Sequence, residues 1–270
     1  MSARSSAIDE RAARRRFERA ARSYAAASRL EAEVAARMLE RLDYVKLAPR
    51  RILDAGSGPG RDANALGARY RGAQIIAVDY ALAMLPRPRR WFKRHVPAVC
   101  ADIARLPLAP QSMELVWCNM VLHWLNEPLA ALREFARVLE PEGLLMFSTL
   151  GPDTLKELRA AAGDARVHAF IDMHDLGDML IAAGYSAPVM DMELVHMEYA
   201  AGAKLLDDLR ASGQTNVRAA RPRGLGGRGF LKALRDAPLT ATYEVVYGHA
   251  WRRADAAPAV KTVRVFKRFS

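Results

Sequence analysis

The chain has 270 residues, 51% of them hydrophobic, enough to bury a sizeable core and too many for a disordered polymer. Its 41 Lys and Arg outnumber 30 Asp and Glu, and the net charge of +11 raises nucleic acid as a first partner to consider. No apolar run nears the ~18 residues of a membrane span, and two cysteines, Cys100 and Cys118, fit a reducing cytoplasm rather than a disulfide framework.

The Arg-rich start carries Asp9, Glu10 and Glu18, so it reads as neither a secretory signal nor a transit peptide. Residues 8–22 and 27–43 have helical spacing, with Leu30, Val34, Met38, Leu39 and Leu42 along one stripe, and Pro49 closes the segment. Residues 1–48 are therefore expected to form a helical arm or lid ahead of a domain at 49–270. From Arg51 the pattern alternates. Extended runs at 51–54, 74–78, 97–100, 114–118 and 143–149 are separated by helical segments near 60–69, 81–94 and 127–139. This alternation predicts βαβ units and a parallel sheet with helices on both faces. Beyond Thr149, helices are expected at 153–162, 173–183 and 203–211, with an extended run at 187–199. A Gly/Arg-rich loop at 218–229 precedes a last strand, Leu239–Trp251. The two late strands extend the same sheet in this reading, and a cap is inserted around 151–235.

Position divides the charge. Residues 204–270 hold 14 basic and 5 acidic side chains, whereas 51–150 hold 12 and 9. Of the 41 basic residues 34 are Arg, in a chain crowded with Ala, so compositional bias supplies part of the excess.

Ile52-Leu-Asp-Ala-Gly-Ser-Gly-Pro-Gly60 follows the first strand and opens a helix. Gly56, Gly58 and Gly60 allow backbone conformations and a close ligand approach that a Cβ would block. Asp54, Asp79 and Asp102 each end one of three successive strands, so their carboxylates line the carboxyl edge of one sheet, where such folds bind ligands. An acidic edge poorly suits a pyrophosphate. It suits a nucleoside with free hydroxyls and a cationic group.

Leu53-Asp-Ala-Gly-Ser-Gly-Pro-Gly60 resembles the first motif of the class I S-adenosylmethionine-dependent methyltransferases, with Ser57 where Cys is usual. The resemblance implies a Rossmann-like α/β fold: a seven-stranded, mostly parallel sheet with helices on both faces and a helical cap or lid. It also implies S-adenosylmethionine as cofactor. Asp79 would bind the ribose hydroxyls, and Asp102-Ile103 the adenine. Tyr24, Asp54, Gly56, Gly58, Gly60, Tyr80, Met84 and Asn119 would complete the pocket.

Further segments narrow the likeness. Arg16-Phe-Glu-Arg-Ala-Ala-Arg-Ser-Tyr24, Asn119-Met-Val-Leu-His-Trp124, Phe147–Arg159 and Phe170-Ile-Asp-Met-His-Asp175 resemble the malonyl-acyl-carrier-protein O-methyltransferases of biotin synthesis. Glu142, where a second Gly is usual, and Tyr80 depart from that pattern. The implied reaction esterifies the free carboxylate of a malonyl thioester, which is already ionised at neutral pH and needs no general base. Tyr24 would close over the cofactor, His123 would hydrogen-bond the acceptor, Trp124 would form pocket wall and Arg159 would select the carboxylate. The acidic acyl carrier protein would dock on a basic face, either Arg218, Arg221, Arg223, Arg228, Lys232 and Arg235 or Arg87, Arg89, Arg90, Lys93 and Arg94.

The same segments resemble arginine-hydroxylating assembly factors of respiratory complex I, and a small-molecule methyltransferase acting on quinones is a third reading. A nucleic-acid methylase lacks support, because aromatics are 7% and not interleaved with the basic runs. Its amino-group tetrad is also replaced by Asn119-Met-Val-Leu. No His or Cys spacing suits a metal, so none is expected.

Overall fold

The computed structural model describes residues 7–86, 96–221 and 237–254. Seven strands form one sheet: β1 (Arg51–Ala55), β2 (Gln74–Asp79), β3 (Ala98–Cys100), β4 (Met113–Asn119), β5 (Leu139–Leu150), β6 (Tyr185–Tyr199) and β7 (Leu239–Arg252). Their order is β3-β2-β1-β4-β5-β7-β6. The first five run parallel, β7 is antiparallel to β5, and β6 is antiparallel to β7. The expected extension of the sheet by the two late strands is found. Strand order reverses at β1, which pairs with both β2 and β4, so a crevice opens at the carboxyl ends of β1 and β4.

The central strands are apolar on both faces because helices cover both. Along them, residues alternate between two cores. Ile52, Trp117, Leu144 and Met146 pack with Leu30, Val34 and Met38 of α3 (Arg29–Arg41) and Leu66 of α4 (Arg61–Arg69). Leu53, Val116, Cys118, Leu145 and Phe147 face α5 (Pro128–Val138), which contributes Leu132 and Phe135. α6 (Lys156–Ala162) and α8 (Gly202–Ala211) add Leu158, Leu205 and Leu209 to the first core, while α7 (Met173–Ala182) adds Leu180 to the second. The helices expected as a cap thus insert apolar side chains into the layers on the sheet.

Two elements differ from expectation by more than three residues. Residues 81–85 make a turn, with the Met84 N–H donating to Ala81 O at 2.9 Å, and the rest of the helix expected at 81–94 lies outside the described residues from 87. β5 starts at Leu139 rather than 143, because Met113 pairs with Leu139 and Leu115 with Leu144. The residues between form a bulge in which Glu142 has φ +61°.

The N-terminal arm holds α1 (Glu10–Ala20) and the short α2 (Tyr24–Ala27). Asp9 caps α1 by accepting the Ala12 N–H at 3.0 Å. The arm is laced to residues 211–221: Asp9 N–H donates to Val217 O at 2.8 Å, Arg16 to Asn216 O at 2.6 Å, and Ser23 Oγ to Ala211 O at 2.7 Å. No helix among the described residues is long and apolar enough to cross a membrane.

Candidate active site

The turn after β1 is built from left-handed backbone. Gly56 has φ +79° and Gly58 φ +52°, a region that side chains disfavour. A Cβ on Gly56 would lie 2.2 Å from Val121 Cγ2, so glycine is obligatory there. At Gly58 the nearest atoms to such a Cβ are Met84 Cε at 3.6 Å and Tyr24 Cε1 at 3.7 Å, which leaves the backbone facing an open cavity. Asp79, at the end of β2, is locked beside it. The Gly58 N–H donates to Oδ2 at 2.9 Å and the Ala81 N–H to Oδ1 at 2.8 Å. Each oxygen keeps a free lone pair, the arrangement that receives two vicinal hydroxyls.

The cavity above this turn measures about 190 Å³. Tyr24, Gly56, Gly58, Asp79, Tyr80 and Met84 line it, together with Asp102, Ile103, Asn119 and Trp124. Two expected cofactor residues are absent from the wall. Gly60, at φ +82°, caps α4 from beneath. Asp54 is buried under the turn, and its Oδ2 has no hydrogen-bond partner.

Sequence reading missed an acidic layer beside Asp54. Asp62 Oδ2 accepts Trp117 Nε1 and Asn119 Nδ2, both at 2.9 Å, and Asn119 Oδ1 accepts Ser148 Oγ at 2.7 Å. Glu31, buried on α3, accepts a hydrogen bond from Gln214, which lines the cavity. Burial raises the carboxyl pKa of Asp54, with neighbouring Asp62 raising it further, and likewise raises those of Asp62, Glu31 and Asp79. Glu31 was detectable in principle: with Ala35 and Met38 it occupies helical spacing on the buried face of α3. Four carboxyls gathered around a glycine cradle without a cation bonded to any of them among the described residues favour a cationic nucleoside. The unpaired Asp54 Oδ2 and the open space over Gly58 therefore fit S-adenosylmethionine.

Aromatic rings close the other side. Tyr24 lies edge-on to Phe17, centroids 6.4 Å apart, and Phe17 to Trp124 at 5.0 Å. Burial first, then Glu31, Asp79 and Asp62, push the Tyr24 hydroxyl pKa well above its usual range, so it stays protonated. Trp124 also meets His168 edge-on at 5.0 Å. His123 is buried, with Nδ1 3.3 Å from Thr149 Oγ1. Its pKa is pulled down to about 3 by burial and by neighbouring His168, so the ring is neutral.

Several expected cations lie elsewhere. Arg159 is absent from the cavity wall; its guanidinium donates to Pro152 O at 2.9 Å and Thr154 O at 3.4 Å, tying the turn before α6. Arg218 is buried, donating to Asp164 O at 2.5 Å and Val167 O at 3.2 Å, and so presents no charge to a partner. Arg221 pairs with Asp9 at 3.4 Å. Arg223, Arg228, Lys232 and Arg235, like Arg87, Arg89, Arg90, Lys93 and Arg94, lie outside the described residues.

A methyltransferase-domain family profile matches residues 53–147. The malonyl-acyl-carrier-protein O-methyltransferase of Methylovorus sp. is 52% identical over 267 residues, covering 91% of this chain and 90% of its own length. That of Gallionella capsiferriformans is 48% identical, covering 94% and 97%. Among solved structures, the YcgJ protein of Bacillus subtilis superposes with a TM-score of 0.56 at 16% identity, over 81% of this chain and 98% of its own. A SAM-dependent methyltransferase from Archaeoglobus fulgidus gives 0.50 at 15% identity, over 82% and 94%. At these identities the structural likeness is one of fold.

Proposed function

Because this chain belongs to the malonyl-acyl-carrier-protein O-methyltransferase family, we propose that it methylates the free carboxylate of a malonyl thioester carried on an acyl carrier protein. The observation that carries this reading is the cation-seeking cradle, where Asp79 is fixed by two backbone N–H groups beside an open Gly58 and an unpaired Asp54. When bound, S-adenosylmethionine supplies a sulfonium methyl that passes to a carboxylate oxygen while its electron pair stays on sulfur, so no proton has to move. The chain's own residues then need only bind, orient and exclude water. Asp79 holds the ribose hydroxyls and Asp102-Ile103 the adenine. Tyr24, Phe17 and Trp124 cover the reacting end and remove water from the carboxylate.

The neutral ring of His123 is suited to hydrogen-bonding the acceptor rather than to acid–base work, and the reaction requires none, since a carboxyl pKa of ~4 leaves the acceptor ionised. Arg159, tied to the Pro152 and Thr154 carbonyls, positions the turn before α6 rather than pairing with the carboxylate. For the carrier, exposed Arg11, Arg15 and Arg19 at i, i+4 and i+8 of α1 support a basic docking face.

The deciding experiment incubates the protein with methyl-labelled S-adenosylmethionine and malonyl-carrier protein and locates the label by mass spectrometry. Label as a methyl ester on the malonyl group is expected, and Asp79→Ala should lose both label and cofactor binding. An unlabelled acceptor despite tight cofactor binding would overturn the proposal and favour the hydroxylase or assembly reading.

A further inference from the structure

A second cavity, of about 50 Å³, adjoins the first, and Trp124 and Gln214 line both. It is too small for a nucleoside and of a size for a short acyl group. Its wall combines polar Arg166, His123, His168, Asn216 and Thr154 with apolar Leu150, Leu158 and Phe170, and the Phe170 ring lies 5.9 Å from that of His123 and 6.3 Å from that of His168. His168 is held in one tautomer. Its Nε2 accepts the Val217 N–H at 3.0 Å, so the proton of the neutral ring sits on Nδ1, leaving that nitrogen as a donor. The ring stays neutral because burial, with the Arg218 and Arg16 guanidinium groups nearby, lowers its pKa to about 4.

The two cavities have opposite charge preferences. Glu10, Asp79, Asp102 and Glu127 line the first, with Arg14, and Asp54 and Asp62 lie nearby. The second has Arg166 in its wall, Arg16 and Arg218 behind His168, and no carboxylate among its described lining residues. A sulfonium belongs on one side of Trp124 and an anion on the other. A neutral acceptor would gain nothing from that polarity.

Building on the methyl-transfer reading above, we propose that this second cavity is the acceptor subsite. It admits the acyl end of a carboxylated thioester, with Arg166 supplying charge to the carboxylate and the His168 Nδ1–H donating to the acyl carbonyl. The geometry thereby makes the acceptor an acid, and a compact one, before any contact with its carrier.

The test compares malonyl-pantetheine with acetyl-pantetheine, which lacks the carboxylate. Arg166→Gln should raise KM for malonyl-pantetheine about tenfold or more with kcat little changed. Calorimetry should show unchanged S-adenosylmethionine affinity and unchanged weak binding of acetyl-pantetheine. His168→Phe should weaken both thioesters, and His168→Gln, whose amide can donate, should recover them. Equal loss of malonyl and acetyl binding in Arg166→Gln, or wild-type KM in both Arg166→Gln and His168→Phe, would overturn the subsite. If wild-type protein bound malonyl-pantetheine with this Arg166 dependence yet transferred no methyl, the subsite would stand and the methyl-transfer reading would fall.

Discussion

Asp54 is the residue whose burial is hardest to account for by folding alone. It is 1% exposed, its Oδ2 is unpaired, and Asp62 lies close enough to raise its pKa further. A buried carboxylate without a partner destabilises a fold, and the raised pKa lets this group stay protonated until a cation comes near. The sign of the pH dependence follows. Asp54, Asp62 and Glu31 have folded pKa values raised above their unfolded ones, so the folded chain holds the extra protons. Their contribution to stability is present below the ordinary carboxylate range and is lost as pH rises through the raised values. Asp54→Asn removes the largest such group at nearly constant shape. It should stabilise the cofactor-free protein at pH 8 by roughly 1–2 kcal/mol and flatten the pH slope of its melting temperature. It should also weaken S-adenosylmethionine binding about tenfold, since an amide offers the cation no charge. A variant with unchanged melting temperature and unchanged cofactor affinity would remove Asp54 from the site.

Among the elements, the start of β5 shows how sequence and structure part. Glu140-Pro-Glu-Gly143 has the composition of a turn, so the strand was expected from 143, yet both ends of the segment pair with β4 and the four residues bulge out. Glu142 takes φ +61° there and is exposed. A left-handed non-glycine residue costs about 1–2 kcal/mol, of which glycine's greater unfolded-state entropy returns roughly half. Glu142→Gly should therefore stabilise by about 0.5–1 kcal/mol, read as a raised melting temperature; an unchanged or lowered one would mean that the strain is absent. Local signals of this kind explain what was legible. Asp79 and Asp102 could be read because each ends an apolar run at a sheet edge, and period and edge together fix where a side chain lies. Glu31 was open to the same periodicity argument, since it shares the buried face of α3, but Asp62 was not, because its role comes from the packing of α4 against β4, which no local pattern encodes. Arg159 and Arg218 carry charge in sequence, but orientation decides its use, and both guanidinium groups turn inward to backbone carbonyls.

On the scale of the molecule, the net charge of +11 is sorted by direction. α1 has two working sides. Ala13, Arg14 and Phe17 line the cavity above the glycine turn, while Arg11, Arg15 and Arg19 face solvent with no ion pair among the described residues. The helix is fixed in that attitude by Asp9 on Val217 and by Asn126, whose Nδ2 donates to Ile8 O at 3.0 Å. On the proposed docking, an acidic partner drawn to the outer arginines would be brought beside the cavity that α1 lines, next to the second cavity proposed for its acyl end. Steering by exposed charges acts on encounter and is screened by salt, with little effect on the chemical step. Replacing Arg11, Arg15 and Arg19 together by Glu should therefore raise KM for malonyl-carrier protein about tenfold at low salt. The wild-type salt dependence should disappear, while kcat and turnover of malonyl-pantetheine stay unchanged. Equal losses on the carrier-bound and the short thioester would place the damage in the cavity wall that α1 shares and leave the outer arginines without a partner.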